Sequence, residues 1–427
     1  MGQTMAEKII ARAAGRDSVT PGEYVTVTPD VSVGHEMFWP LHERHMREIG
    51  IDRFPHPDKV VLVIDHTPLA ALDSPYVKVH QDLRAFVRRT GFRNFFDVGR
   101  GGLRHQVMME QGFARPGLLV CSDEGNIAAL GAVGALNFAM SWEVIVPMIT
   151  DANWIVVPRT TRMRLHGALP FGTMARDLVQ VINREFGETD LLLQGCVEFT
   201  GPGIASLSMD ARQALLSGMY HCGADTAIME LDDTARAYVA ERAAGRPSFE
   251  VTSDPDASYF LERDYDLSAL TPCVTVPPEQ HSVVPVAEVQ GTRVDHATIG
   301  SCAANRIEDL RAAAEVLRGR RIAPHVALYV SPGSSEIFAQ AAAEGLLGTL
   351  AEAGAMVLAP GCNTCFGYVG ALSDGQTAIS TQQQNYNGRS GSPEARIFLA
   401  SPYVVAASAV AGQITDPREL LAEEALA

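Results

Sequence analysis

Residues 355–367 read AMVLAPGCNTCFG, and the pattern of this stretch recurs along the chain. A short apolar run rich in β-branched residues is followed by a turn and then by a segment with helical periodicity. The same order is found at KVVLVID (59–65) and HVALYVSP (325–332). Strands that alternate with helices are typical of α/β domains built on largely parallel sheets. The segments 308–320 and 334–354 are predicted to be amphipathic helices, the second capped by Ser334 or Ser335.

Three cysteines in the last third suggest a metal-bound group. Cys362 and Cys365 form a CxxC pair, and Cys302 precedes them in IGSCAANRIEDL. A cubane iron–sulfur cluster normally takes four thiolates, so three would leave one iron open. An open iron is a Lewis acid, which favours a role in chemistry over simple electron carriage.

Cysteine spacing by itself leaves two other interpretations open. A zinc site would need a fourth ligand, for which His325 and Cys273 are the candidates. A redox dithiol is also compatible, since the CxxC pair follows an apolar run as it does at a strand-to-helix turn.

Composition excludes several classes of protein. The chain has 427 residues, enough for two or three domains, and a net charge of −16, which argues against nucleic acid as a partner. Its charged start lacks the apolar core of a signal peptide, and seven cysteines in such a chain indicate a reducing, cytoplasmic setting. The apolar stretch 128–149 is interpreted as a buried helix pair and not as a membrane span. The remaining cysteines are expected to be buried thiols: Cys121, Cys196, Cys222 and Cys273.

The order and spacing of the motifs resemble the aconitase family, nearest to the large subunits of 3-isopropylmalate dehydratase and homoaconitase. The motifs include VIDHTP, FFDVGRGGLRHQVMMEQG, GSC, APGCNTCFG, NGRSG and LASPYVVAASAVAGQITDP, and they extend over essentially the whole chain. The resemblance implies a [4Fe–4S] cluster on Cys302, Cys362 and Cys365. It also implies three α/β domains with mostly parallel sheets, at 1–158, 159–283 (intertwined with the first) and 284–427. Independently of the resemblance, the proline-rich stretch 271–285 separates two patterned halves and is predicted to be a linker.

Family members remove and re-add water across a carbon–carbon bond. A complete aconitase has a further swivelling domain, which carries the serine that acts as base, and this chain stops without it. The resemblance therefore implies a separate small subunit as partner. No membrane partner is expected.

The same resemblance implies which side chains transfer protons. Asp65 and His66 match the family's acid–imidazole pair, although they could equally be a capped strand end. His105 matches a family histidine, and Glu110, five residues later, is predicted to be the carboxylate that fixes its tautomer. The alternative is a histidine and a solvated glutamate on the helix surface. Asp123 matches the aspartate that opens the family's Asp-Ser-His-Thr motif.

The residues with which the family binds its substrates are only partly present in this chain. Arg389 in NGRSG matches an arginine that binds a substrate carboxylate. Arg306 could clamp the substrate near the cluster or pair within its helix. The family's Asn-Arg-Asn-Phe reads Gln383-Gln384-Asn385-Tyr386, so Gln384 stands in place of an arginine. His221 stands where the family has a glutamate.

The Asp-Ser-His-Thr motif itself reads Asp123-Glu124-Gly125-Asn126. An intact set of cluster ligands with rewritten substrate contacts predicts a hydro-lyase or isomerase for a small hydroxy-carboxylic acid other than citrate or 3-isopropylmalate. The alternative is a non-catalytic, cluster-bearing regulatory or scaffold subunit.

Overall fold

The computed structural model describes residues 2–71 and 73–424. Within them lie eighteen strands, which are numbered in chain order: β1 Tyr24–Val27, β2 Val31–His35, β3 Val60–Val63, β4 Phe95–Phe96, β5 Leu119–Ser122, β6 Leu136–Ala139, β7 Asn153–Val156, β8 Arg159–His166, β9 Gly195–Thr200, β10 Thr226–Met229, β11 Leu261–Asp266, β12 Cys273–Thr275, β13 Val283–Pro285, β14 His296–Ile299, β15 Ala327–Val330, β16 Met356–Val357, β17 Thr377–Ser380 and β18 Arg396–Leu399.

Fourteen α-helices accompany the strands in the same described part: α1 Met5–Ala13, α2 Trp39–Glu48, α3 Tyr76–Thr90, α4 Arg104–Glu110, α5 Ile145–Thr150, α6 Ala175–Phe186, α7 Met209–Met219, α8 Asp233–Arg242, α9 Val286–Val289, α10 Ile307–Leu317, α11 Ser335–Ala343, α12 Leu346–Ala353, α13 Pro402–Ala411 and α14 Pro417–Glu424. None of the described helices is long and apolar enough to cross a membrane.

The strands form three parallel or mostly parallel sheets and one antiparallel ribbon. The first sheet has the order β4-β3-β2-β5-β6 and the second β10-β9-β8-β11, and both are parallel throughout. The third has the order β13-β12-β18-β17-β14-β15-β16 and is antiparallel only where β12 meets β13 and β18. β1 and β7 form the ribbon. The predicted α/β class with mostly parallel sheets is confirmed.

Two large hydrophobic cores correspond to this arrangement. Side chains of the first and second sheets share one core, in which Val61, Val107, Met163 and Phe199 are all buried. The third sheet and its helices enclose a separate core around Leu310. The domain boundaries near 158 and 283 stay predictions.

Three local expectations were wrong. The segment 128–149 is not a helix pair: a 3₁₀ helix ends at Gly134 with φ +70°, and the chain then enters β6, where Leu136 pairs with Leu119 of β5. The single helix expected at 334–354 is two helices, because Gly345 adopts φ +74° between them. Its predicted cap is confirmed, since the Ser334 hydroxyl accepts from the Ile337 amide at 3.1 Å.

The third wrong expectation concerns the proline-rich segment 271–285. It is not simply a linker, because it contributes β12 and β13 to the edge of the third sheet. An edge strand tolerates proline, since one side of its backbone needs no partner.

Backbone hydrogen bonds join loops of the first sheet to loops of the third. The Leu103 amide donates to the Gly333 carbonyl at 2.7 Å, and the Ser335 amide donates to the Gly101 carbonyl at 2.7 Å. A third bond runs from the Cys362 amide to the Asp65 carbonyl at 2.8 Å. These contacts bring residues from opposite ends of the chain to one place.

Gly102 lies at the centre of this junction, with φ +152°, and a Cβ there would meet the Gly333 carbonyl oxygen at 2.2 Å. We expect Gly102→Ala to lower the free energy of unfolding by about 2–5 kcal/mol, from backbone strain plus overpacking. Gly15→Ala is the matched control: its φ is +64° but nothing lies within 4 Å, so only the strain of about 1–2 kcal/mol remains. Equal losses in urea denaturation would contradict the close contact at Gly102.

Candidate active site

A cavity of about 100 Å³ lies where the carboxyl ends of several parallel strands meet. β3 leads to Asp65, β5 to Glu124, β14 to Cys302 and β16 to Cys362. The carboxyl edge of parallel strands is where open α/β sheets bind ligands. The cavity is lined by Asp65, His66, Leu103, Arg104, His105, Glu124, Asn126, Tyr220, His221, Cys302, Cys362, Cys365, Phe366, Gln383, Gln384 and Arg389.

All three cysteines singled out from the sequence line this cavity, and all three are buried. Burial raises the pKa of Cys302 well above its usual range. A hydrogen bond from Cys362 lowers the pKa of Cys365 to about 6, and the charge of Arg389 acts in the same direction. The Nη2 of Arg389 donates to the Cys365 sulfur at 3.2 Å. The site therefore has a fixed cation that favours a thiolate.

The donor set fits a [4Fe–4S] cluster held at three corners. Three sulfur donors converge on one enclosed space, and among the lining residues there is no fourth cysteine. The candidate fourth zinc ligands are elsewhere: His325 contacts the Gly412 carbonyl and Cys273 lies against Asp177 and Gln180. Neither of them lines the cavity.

Asp65 and His66 form a buried ion pair. The Nδ1 of His66 lies 2.6 Å from Oδ1 of Asp65. Burial opposes the charge on both groups, yet the charges of Arg104 and His66 hold the pKa of Asp65 well below its usual range. The carboxylate in turn raises the pKa of His66 to about 9 against the effect of burial. His66 is therefore protonated at neutral pH.

The loop that carries this pair is held by Glu36, which is fully buried. The Glu36 carboxylate accepts from the amides of Asp65 at 3.1 Å, His66 at 3.0 Å and Thr67 at 2.6 Å, and from the Thr67 hydroxyl at 2.9 Å. Four donors on one carboxylate leave the loop little freedom, so the acid–imidazole pair is pre-positioned.

Arg104 connects three carboxylates around the cavity. Its Nη1 lies 2.9 Å from Oδ2 of Asp65, its Nε lies 2.9 Å from Oδ1 of Asp123, and its Nη2 pairs closely with Glu124. The arginine side chain is 1% exposed, and so the pairs are shielded from water. These charges raise the pKa of Arg104 against the effect of burial.

Asp123 and His105 take up different positions relative to the cavity. Asp123 lies behind the lining, where its Oδ2 accepts from the His35 amide at 2.8 Å, and burial raises its pKa to about 7. His105 reaches the cavity, and burial holds its pKa well below the usual range, so it is neutral. Within the described part of the chain its Nε2 has no hydrogen-bond partner.

Two residues predicted to be functional, Glu110 and Arg306, do not line the cavity. Glu110 accepts from the Ser334 hydroxyl at 2.6 Å and makes no described hydrogen bond with His105. The two are five residues apart, which places them about 140° apart around a helix. Arg306 lies behind the first cysteine, where it donates to the Cys302 carbonyl at 3.2 Å and to Gln213 at 3.0 Å.

Gln384, His221 and Arg389 all face the cavity, as their sequence positions suggested. Sequence reasoning did not assign roles to Glu36, Arg104, Glu124 or Asn126. Arg104 directly precedes the nominated His105 in the sequence, but the surrounding residues gave no sign that its charge is buried. Nothing comparable marked Glu36, whose partners lie about thirty residues further along the chain.

Comparison with known proteins agrees with this geometry. The family model described as "Aconitase family (aconitate hydratase)" matches residues 54–412. The chain is 37% identical over 426 residues to a 3-isopropylmalate dehydratase large subunit of Methanopyrus kandleri, covering 99% of this chain and 100% of that one. It is 39% identical over 432 residues to the homoaconitase large subunit of Thermus thermophilus, covering 99% of each.

A solved structure shares the fold. The holo-form of aconitase X from Thermococcus kodakaraensis superposes with a TM-score of 0.51 at 10% identity, covering 84% of each chain. The relatives of 37% and 39% identity, a dehydratase and a homoaconitase, identify the chain as a hydro-lyase by class. It belongs to the aconitase family.

Replacement of Arg104 tests the buried charge cluster. Arg104→Gln leaves three carboxylates without their shared cation, and breaking a buried ion pair by removing one partner costs about 3–5 kcal/mol. We expect a loss of this size in urea denaturation. Arg53→Gln, which breaks an exposed pair with Asp52, is the control and should leave the midpoint unchanged. A midpoint unchanged in Arg104→Gln would show that the cluster does not stabilise the fold.

Glu110 gives a prediction that depends on pH. Burial raises its pKa from 4.5 to about 7, so the folded state loses stability as the pH rises from 4.5 to 7 and no further above that. Glu110→Gln removes this loss, which is worth about 3 kcal/mol at 1.36 kcal/mol per pKa unit. The variant should be more stable than the parent at pH 8 and about equal to it at pH 4.5. The exposed Glu394→Gln is the control. A gain that is the same at both pH values would disprove the assignment.

Proposed function

We propose that this chain is the large subunit of an iron–sulfur hydro-lyase that dehydrates, hydrates or isomerises a small hydroxy-carboxylic acid. One observation carries the proposal: three buried thiols, a buried acid–imidazole pair and the guanidinium of Arg389 line a single cavity. The [4Fe–4S] cluster would be held by Cys302, Cys362 and Cys365. When bound, it supplies a Lewis acid for the hydroxyl group that leaves.

His66 is the group best placed to deliver a proton to that hydroxyl. Its Nδ1 is engaged by Asp65, so the proton on Nε2 is the one available to a ligand. The pKa of about 9 keeps this proton in place at neutral pH. Glu36 holds the loop, and Arg104 holds the orientation of Asp65, so the donor does not have to reorganise during the reaction.

Arg389 supplies the contact for a substrate carboxylate. Its Nη2 donates to the Cys365 sulfur and its guanidinium stacks 3.9 Å above the Phe366 ring, which fixes its plane. The Nε has no described partner and is buried. A planar donor with an unused N–H suits a carboxylate oxygen.

The proton on the neighbouring carbon needs a base. By the family resemblance this base is a serine of the swivelling domain, and two relatives carry the name of large subunit. A separate small subunit is therefore the partner that completes the site.

The substrate differs from citrate and 3-isopropylmalate in this proposal. Gln384 takes the place of a family arginine, and a hydrogen bond to a neutral amide contributes about 1 kcal/mol against about 1.5–3 for one to a charged group. A second substrate carboxylate beside Gln384 would therefore bind less favourably than one beside the family's arginine.

The thiols give the first test. Cys302→Ser, Cys362→Ser and Cys365→Ser should each reduce iron and acid-labile sulfide to a small fraction of the parent value in anaerobically purified protein, because each removes one of three attachment points. Cys196→Ser and Cys222→Ser, at buried thiols outside the cavity, are the controls and should retain both elements. Zinc in place of iron, or equal losses in the controls, would contradict the assignment.

Activity is tested on the same material. The cluster-loaded chain, produced with a small subunit, is offered a panel of hydroxy acids, and formation of a conjugated enoate is followed by ultraviolet absorbance. A cluster-bearing complex that turns over none of the panel would favour the non-catalytic alternative. Turnover of 3-isopropylmalate at ordinary family rates would overturn the proposed difference in substrate.

A further inference from the structure

Three polar side chains form a continuous hydrogen-bonded row along one wall of the cavity. The Asn126 Nδ2 donates to Oε1 of Glu124 at 2.8 Å, and the Asn126 Oδ1 lies 2.8 Å from Nε2 of His221. We refer to Glu124, Asn126 and His221 as the acceptor wall. All three line the cavity.

The order of donors and acceptors along this wall is fixed by Glu124. An ionised carboxylate only accepts, so Asn126 must turn its NH₂ group towards Glu124 and its carbonyl oxygen towards His221. A carbonyl oxygen only accepts in turn, so Nε2 of His221 must carry a hydrogen. Burial lowers the pKa of His221 to about 3, which leaves the imidazole neutral with an unprotonated Nδ1.

The wall therefore offers acceptors to a ligand. Nδ1 of His221 has no hydrogen-bond partner among the described residues. Glu124 is 33% exposed in its side chain, and the charges of Arg104 and His66 hold its pKa below the usual range against the effect of burial, so it is an anion. Of the two hydrogens on the Asn126 NH₂, one is bound to Glu124, so the second is the single N–H that the wall leaves free.

The cations at the cavity are already committed, with one exception. Arg104 is paired with three carboxylates, and His66 is engaged by Asp65 and assigned to the leaving hydroxyl. Arg389 has no described carboxylate paired with it, and its Nε–H has no described hydrogen-bond partner. Gln384 is neutral.

We infer that the substrate is a hydroxy acid with one carboxylate, bound by Arg389, and with a hydrogen-bond-donating group that faces the acceptor wall. A primary amide, a further hydroxyl or an ammonium group meets this description. The inference rests on the proposed function, because it names the substrate class of the same site.

A dicarboxylate is disfavoured by two physical effects. A second carboxylate beside the wall would face the charge of Glu124 at short range, and like charges in a water-poor cavity repel strongly. It would also find only one free N–H there, on the neutral Asn126 amide, to replace the water that it loses. A donating group gains two acceptors at the same place.

Binding of matched ligands tests this substrate class directly. Malate and its two positional half-amides differ only in replacement of one carboxylate by a primary amide. Isothermal titration calorimetry on the anaerobic, cluster-loaded complex should show at least one half-amide binding tenfold or more tightly than malate. Iron and sulfide are measured on the same sample.

Variants assign the preference to the wall. Glu124→Gln removes the charge with little change in shape and should reduce the ratio of affinities to threefold or less. Gln384→Arg leaves the wall untouched, adds a cation and should strengthen malate binding at least tenfold. Glu394→Gln, on the exposed surface, should leave every affinity unchanged.

The outcomes separate the two proposals. A complex that contains iron and sulfide but binds malate as tightly as both half-amides, or binds none of the three, overturns the substrate class and leaves the hydro-lyase assignment standing. An unchanged ratio in Glu124→Gln overturns the role of the wall. A complex without iron and sulfide overturns the proposed function and the inference with it.

Discussion

The guanidinium of Arg104 is the interaction on which the rest of the site depends. It is almost completely buried and contacts Asp65, Asp123 and Glu124, which come from two different loops at the carboxyl edge of the first sheet. Three ionised carboxylates in a volume without bulk water would strongly destabilise the fold if no cation were present, because each loses its hydration and repels the others. With the cation between them, Asp65 stays ionised and can in turn hold the proton on His66.

Charges are also balanced by immediate neighbours on the side of the cavity that carries the cysteines. The chain carries a net charge of −16, so its overall field does not attract an anion. Arg389 stabilises the Cys365 thiolate and stacks on Phe366, and it still keeps an unused N–H. A few fixed side chains therefore set the charge around the cavity, and the negative charge of the acceptor wall follows from how they are paired.

Much of this architecture could be read from the sequence. The three cysteines stood out by their residue type and spacing, whereas Asp65, His66 and Arg389 were identified through the resemblance to the aconitase family. Arg104 could not be assigned a role in the same way, because whether a charge is buried depends on partners that only the folded chain supplies. β6 was mistaken for helix because an apolar run does not distinguish the two, and the break at Gly345 was missed because a single glycine is tolerated inside many helices. The displacement of Glu110 from His105 could have been foreseen from helical geometry.

The amide of Cys362 bonds to the carbonyl of Asp65, and these two residues lie 297 positions apart in the sequence. During synthesis the acid–imidazole loop leaves the ribosome long before the sulfur ligands do. The cavity cannot close until Arg389, still further along the chain, has also emerged. Up to that point Asp65, Arg104 and Glu124 have no third sheet against which to pack. The reactive groups of this enzyme are thus kept apart by the order of their own biosynthesis until the strands of the third sheet have been made.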